Sequence, residues 1–123
     1  MRILLVDDEP ELVFTLAERL ELRGNEVAAV TDGEQALALL AGKPFEVVVV
    51  DVKMPGMNGY QLLEKIQGSY PGLPVILLTG HGGGQEEGEA DAPQSACAYL
   101  YKPVKLEELV ATMKACVGEA TDD

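Results

Sequence analysis

Five short apolar runs divide this chain, and the stretches between them carry helical period. The runs are RILLV (2–6), EVAAV (26–30), VVVV (47–50), PVILLT (74–79) and AYLY (98–101). Each is too short for a helix, and most are too continuously apolar for a strand with one wet face, so they read as strands buried on both sides. From Pro10 onward, Leu12, Val13, Leu16 and Leu20 share one helical face, and Gly24 stands where that helix would end. Asp32 is placed to cap a second helix carrying Ala36, Leu37 and Leu40, closed by Gly42 and Pro44. Leu62, Leu63 and Ile66 mark another helix, which ends within 68–71. Leu106, Leu109, Val110, Met113 and Val117 mark the last. Strands and helices alternating in this way give an α/β fold, a parallel sheet covered on both faces. Right-handed crossovers then leave few topologies, and a doubly wound five-stranded sheet is the economical one.

The chain has 123 residues, 47% of them hydrophobic, which is enough for one domain with its own core. That domain is expected over 1–118, with 119–123 as an acidic tail. No uninterrupted apolar span approaches the roughly 20 residues that a membrane crossing needs. The N-terminal run is too short for a signal peptide and is followed at once by acids, so a cytoplasmic location is expected. A net charge of −12 repels nucleic acid and anionic lipid. Direct nucleic-acid binding and membrane association are therefore not expected, and an acidic surface also serves solubility. Cys97 and Cys116 have neither CxxC spacing nor a His at ligand distance. They are expected as buried, reduced thiols with no zinc site.

In open parallel sheets, ligands sit beyond the carboxyl ends of the strands. At those ends the sequence places Asp7-Asp8-Glu9, Asp51, Thr79 and Lys102-Pro103. Solvation accounts for any one polar strand end. It accounts poorly for acids, a hydroxyl and an ammonium gathered on one rim while the opposite rim has no such cluster. Clustered carboxylates raise one another's pKa unless something neutralises them. A hard dication such as Mg²⁺ (or Mn²⁺) does so with one or two carboxylates, waters and a phosphate oxygen. Asp8 and Asp51 are candidate ligands, with Asp7 direct or through water, and the backbone carbonyl of Lys53 is a further candidate. Asp51, at the end of four valines, is placed to attack phosphorus and form an acyl phosphate. The metal and Lys102 would offset charge on the equatorial oxygens, while Thr79 donates its hydroxyl and Gly80 leaves room.

Taken together, Asp7-Asp8, DVKMPGMNG (51–59), LLTGHG (77–82) and YLYKP (99–103) resemble the receiver domain of bacterial two-component response regulators, across about Arg2 to Val117. The resemblance implies a flavodoxin-like (βα)5 sheet in the order 2-1-3-4-5. It implies that Asp51 takes a phosphoryl group from the phosphohistidine of a sensor histidine kinase, from a phosphotransfer protein, or from a small donor such as acetyl phosphate. Mg²⁺ would be held by Asp7, Asp8, Asp51 and the Lys53 carbonyl. Lys102 would contact the phosphoryl group, often with a cis peptide before the proline. Thr79 and the aromatic Tyr99 would form the switch, and Tyr101 would serve partner contact or packing. Such a domain catalyses its own phosphorylation and dephosphorylation and is not a dedicated turnover enzyme. Its output is a population shift read at the fourth helix, fifth strand and fifth helix, by an effector domain or downstream protein that the sequence does not name.

The segment GGGQEEGEADAPQSACA (82–98) departs from that pattern. Its glycines and proline oppose a helix, so the fourth helix is expected short or poorly ordered, beginning no earlier than Asp91-Ala92-Pro93. Lys53 and His81 stand two residues beyond Asp51 and Thr79, positions that tune dephosphorylation in the family; a solvated loop His is the plainer reading. Several rivals lack their parts. GHGGG (80–84) has no G-x-S-x-G nucleophile motif beside it, and no Walker motif is present. An FMN binder needs a phosphate-cradling loop where this chain has Asp-Asp-Glu, and an aspartyl-phosphate phosphatase needs an acid where it has Lys53. A pseudo-receiver that only binds partners is the remaining alternative, disfavoured by the complete acid, Thr and Lys set.

Overall fold

The computed structural model describes residues 1–80 and 96–118. Its elements are β1 (Arg2–Val6), α1 (Pro10–Glu21), β2 (Glu26–Val30), α2 (Gly33–Gly42), β3 (Val47–Asp51), α3 (Gly59–Ser69), β4 (Val75–Thr79), β5 (Ala98–Tyr101) and α4 (Leu106–Val117). The strands pair in parallel in the order β2-β1-β3-β4-β5, as the resemblance implied. Local chemistry sets the helix ends. Pro10 opens α1, where its missing N–H costs nothing. The Asp32 carboxylate accepts the Gln35 N–H at 2.8 Å and starts α2. Beyond α1, Gly24 takes φ +93°, a conformation that side chains resist.

The core forms two layers because successive strand residues point to opposite faces. Val48 and Val50 join Leu4, Val6 and Leu77 beneath α2 and α3. Val47 and Val49 join Ile3, Leu5 and Ile76 beneath α1 and α4. All four valines are essentially inaccessible to solvent, each contributing about 1.5–3 kcal/mol by burial. β3 lies at the centre of the sheet, so the strand that ends in Asp51 is the best supported. The register pairs Val6 with Val50, Asp51 with Leu78 and Thr79 with Tyr101. That alignment brings the ends of β1, β3, β4 and β5 to one edge.

Three details differ from the sequence reading or lie beyond the described residues. β3 takes in Asp51, and β4 begins at Val75 instead of Pro74. The expected fourth helix and the acidic tail fall largely at 81–95 and at 119–123, outside the described residues, and α4 here is the helix after β5. The cysteines are not reduced, buried thiols: Cys97 and Cys116 form a disulfide with Cα atoms 6.1 Å apart, and Cys97 is exposed. β5 rises along the sheet and α4 returns down it, so the root of the strand meets the end of the helix. Spacing along the chain carries no trace of that meeting. Replacing Leu77 by Ala in the α2/α3 layer is expected to lower unfolding stability by about 2–5 kcal/mol, read from urea denaturation midpoints.

Candidate functional site

The hydrogen-bond ladders of the sheet run slightly past the strands and hold the site. The Asp7 N–H donates to the Val30 carbonyl at 3.2 Å, the Val52 N–H to the Leu78 carbonyl at 2.8 Å, and the Lys102 N–H to the Thr79 carbonyl at 2.8 Å. Asp7 and Lys102, and Asp51 through its neighbour, are thus fixed by backbone and not by loop packing. Asp7 is 4% exposed and Asp51 5%, the two buried charged residues among those described. Carboxylate oxygens of Asp7, Asp8 and Asp51 lie within 4.8 Å of one another. The Lys102 ammonium is 3.0 Å from Asp7 Oδ2, 3.3 Å from Asp51 Oδ2 and 3.6 Å from Glu9 Oε1.

Burial, then the Asp7 charge, push the Asp51 carboxyl up to about 6. The charge and hydrogen bond of Lys102 and the Lys53 backbone N–H offset this only in part. Burial alone would lower the Lys102 pKa. Its hydrogen bond to Asp7 and the charges of Asp51 and Asp7 outweigh that, and the ammonium is held above its ordinary value. Near neutral pH the site therefore contains a firm cation and a carboxylate that is ionised at a cost. Oxygen donors in excess of positive charge are what a hard divalent ion requires, so these residues fit Mg²⁺ or Mn²⁺.

The other candidates have different settings. Thr79 is half-buried at the end of β4, and its hydroxyl donates to the Gly80 carbonyl at 3.2 Å. Tyr99 packs against the α2/α3 core layer. Burial, then the neighbouring Tyr60, raise its hydroxyl pKa. Tyr101 is 38% exposed. The Lys53 side chain is exposed, and the peptide bond between Lys102 and Pro103 is cis. His81 lies outside the described residues.

Two positions without an assigned role in the sequence reading belong to the site. A Cβ on Gly59 would stand 2.7 Å from the Asp51 carbonyl oxygen and from Val52 Cα. The Gly59 N–H also donates to the Val52 carbonyl at 2.8 Å. Only glycine lets α3 start this close beneath Asp51. The signal was available, because glycine is a poor choice for a first helical residue unless backbone must approach. Just before it, Asn58 and Gln61 form a reciprocal capping box. Glu9, the second, adds a third carboxylate to Lys102.

A carboxyl raised in the fold stabilises most fully below its unfolded value of 3.8, and that contribution is lost as pH rises through about 6. In EDTA, wild-type stability is expected to fall across that window. Asp51→Asn, neutral throughout, should be more stable by about 1–3 kcal/mol above it. Urea denaturation on both sides of the window checks this; equal stabilities on the alkaline side would contradict it.

Comparison with known proteins agrees with this geometry. Residues 3–114 match the family model of the response regulator receiver domain. The chain is 43% identical to the response regulator protein FleR of Pseudomonas aeruginosa over 109 residues, covering 89% of this chain and 23% of that protein. It is 36% identical to the transcriptional regulatory protein TcrA of Mycobacterium tuberculosis over 115 residues, covering 94% of this chain and 45% of that one. The chain thus spans less than half the length of either relative. Among solved structures, a response regulator receiver domain protein from Clostridium thermocellum superposes with a TM-score of 0.87 at 30% identity, covering 98% of this chain and 96% of that one. A CheY-like receiver domain protein from Methanospirillum hungatei gives 0.86 at 32%, covering 98% and 95%. The chain belongs to the receiver domains of two-component response regulators.

Proposed function

We propose that Asp51 is the phosphoacceptor of this receiver domain, charged by the phosphohistidine of a sensor kinase or phosphotransfer protein, or by a small phosphodonor. The observation that carries the reading is the Lys102 ammonium within 3.3 Å of a buried Asp51 and 3.0 Å of a buried Asp7. An Asp51 carboxylate oxygen attacks phosphorus in line, the phosphorus–nitrogen bond breaks, and the imidazole leaves and takes up a proton. Lys102 offsets charge on the transferred group, and burial keeps Asp51 from scattering among rotamers. Asp7, Asp8, Asp51 and the Lys53 carbonyl would hold Mg²⁺, which when bound supplies positive charge to the phosphoryl oxygens. Thr79 turns from the Gly80 carbonyl toward a phosphoryl oxygen, and Tyr99 follows into the space it leaves. By the family resemblance, the positions of Lys53 and His81 tune how quickly the acyl phosphate is hydrolysed. The readout is altered binding of an effector domain or downstream protein, in the cytoplasm, with no direct nucleic-acid contact by this domain. Among the described residues no helix is long and apolar enough to cross a membrane.

Intact-mass spectrometry after acetyl phosphate and Mg²⁺ tests the reading. Wild type should gain one phosphoryl mass, EDTA or Asp51→Asn should abolish the gain, and Lys102→Ala should slow it by about tenfold or more. An adduct that persists in Asp51→Asn would overturn it. Independently, Mg²⁺ at about a hundred times its Kd should stabilise wild type by about 2.7 kcal/mol. Asp8→Asn should remove most of that gain in a thermal melt.

A further inference from the structure

We propose that Cys97 and Cys116 are a reversible redox site, a thiol–disulfide couple addressed by a cellular dithiol, that sets how firmly β5 presents Lys102 and Tyr99. The consequence for phosphoryl uptake rests on the function proposed above; the redox chemistry does not.

Among the described residues, β5 is the weakest member of the sheet. It has four residues, lies at the edge, and pairs only with β4. Cys97 immediately precedes it, and Cys116 is the second-last residue of α4. The bond between them ties the root of the strand to the end of the helix across a sequence separation of 19. Tyr99, Lys102 and nearly all of α4 lie inside the loop so closed. Reduction therefore removes the one covalent restraint on the side of the site that β5 supplies.

Access and packing make the couple reversible. Cys97 is exposed, whereas Cys116 packs against the α1/α4 core layer. A thiolate of the dithiol attacks Cys97 Sγ and expels the Cys116 thiolate, which takes up a proton. The second thiol of the reductant then attacks its partner sulfur in the mixed disulfide and releases Cys97. Two electrons pass from dithiol to disulfide, and the reductant leaves as its own cyclic disulfide. Helix α4 does not need the bond to stay docked, because Leu109 and Met113 are fully buried and the Gly118 N–H caps the Lys114 carbonyl at 3.0 Å. Reduction loosens β5 without unfolding the domain. In a reducing compartment, an exposed disulfide of this kind is a transient, sensing bond and not a permanent staple.

The test compares the air-oxidised domain with the same protein treated with dithiothreitol, using N-ethylmaleimide labelling, hydrogen exchange and the rate of acetyl phosphate uptake. The oxidised form should accept no maleimide and the reduced form two. On reduction, exchange at 97–102 should quicken and uptake at Asp51 should slow by about fivefold. Re-oxidation should reverse both changes. The double variant Cys97→Ser, Cys116→Ser should behave as the reduced form and ignore dithiothreitol. Two alkylatable thiols in the oxidised protein would overturn the proposal, as would a reducible bond whose loss changes neither exchange nor uptake. If Asp51 takes no phosphoryl group in either state, the phosphoacceptor reading fails. The exchange and labelling arms still decide the redox site, and unchanged exchange on reduction would then overturn it.

Discussion

Lys102 stands between two buried carboxylates, Asp7 and Asp51, and the rest of the site is arranged around that contact. Burying one carboxylate is costly, and burying two side by side is worse unless positive charge accompanies them. One ammonium, also in reach of Glu9, does not neutralise them all. Burial first, and the Asp7 charge second, keep the Asp51 carboxyl raised to about 6. A well-packed domain tolerates this strain because its stability comes from elsewhere, the inaccessible valines of β3 and the two layers they join. The electrostatic imbalance is thus local, and it is the property that fits these carboxylates to a divalent ion.

Positioning comes from backbone. Parallel ladders continue one step beyond β1, β3 and β5, and Gly59 lets α3 press against the peptide of Asp51. Asp51 is held by the centre of the sheet, while its cationic partner Lys102 arrives from the edge. That asymmetry matters for the proposed switch. A signal carried by Thr79 and Tyr99 needs one part of the site that stays and one that moves, and the short edge strand β5 is the part with fewer restraints. Tyr99, beside Tyr60 over the α2/α3 layer, is where a shift at the proposed acceptor would meet core packing.

The alternation of apolar runs and helical faces was sufficient to read the layers, the strands and the edge on which Asp7, Asp51 and Lys102 meet, because buried parallel strands leave a continuous apolar signature. Asp7, Asp8, Asp51 and Lys102 were legible for the same reason: each follows a strand, and the topology brings strand ends together. What could not be read depended on distances with no periodic signature. The meeting of Cys97 with Cys116 requires knowing that α4 returns to the root of β5. The closeness of Gly59 to Asp51 requires knowing how tightly α3 begins. Glu9 was visible at the rim, but its pairing with Lys102 depends on how far a flexible side chain reaches across from β5.

In the proposed function, one aspartate among several neighbouring acids carries the phosphoryl group. Borohydride reduces an acyl phosphate, and only an acyl phosphate among these carboxyls, to the alcohol, converting the modified aspartate to homoserine. Treating the phosphorylated domain with borohydride and sequencing its peptides should find homoserine at position 51 and at no other. Homoserine at Asp7 or Asp8, or at no position in a protein that had demonstrably gained phosphate, would rule out Asp51 as the phosphoacceptor.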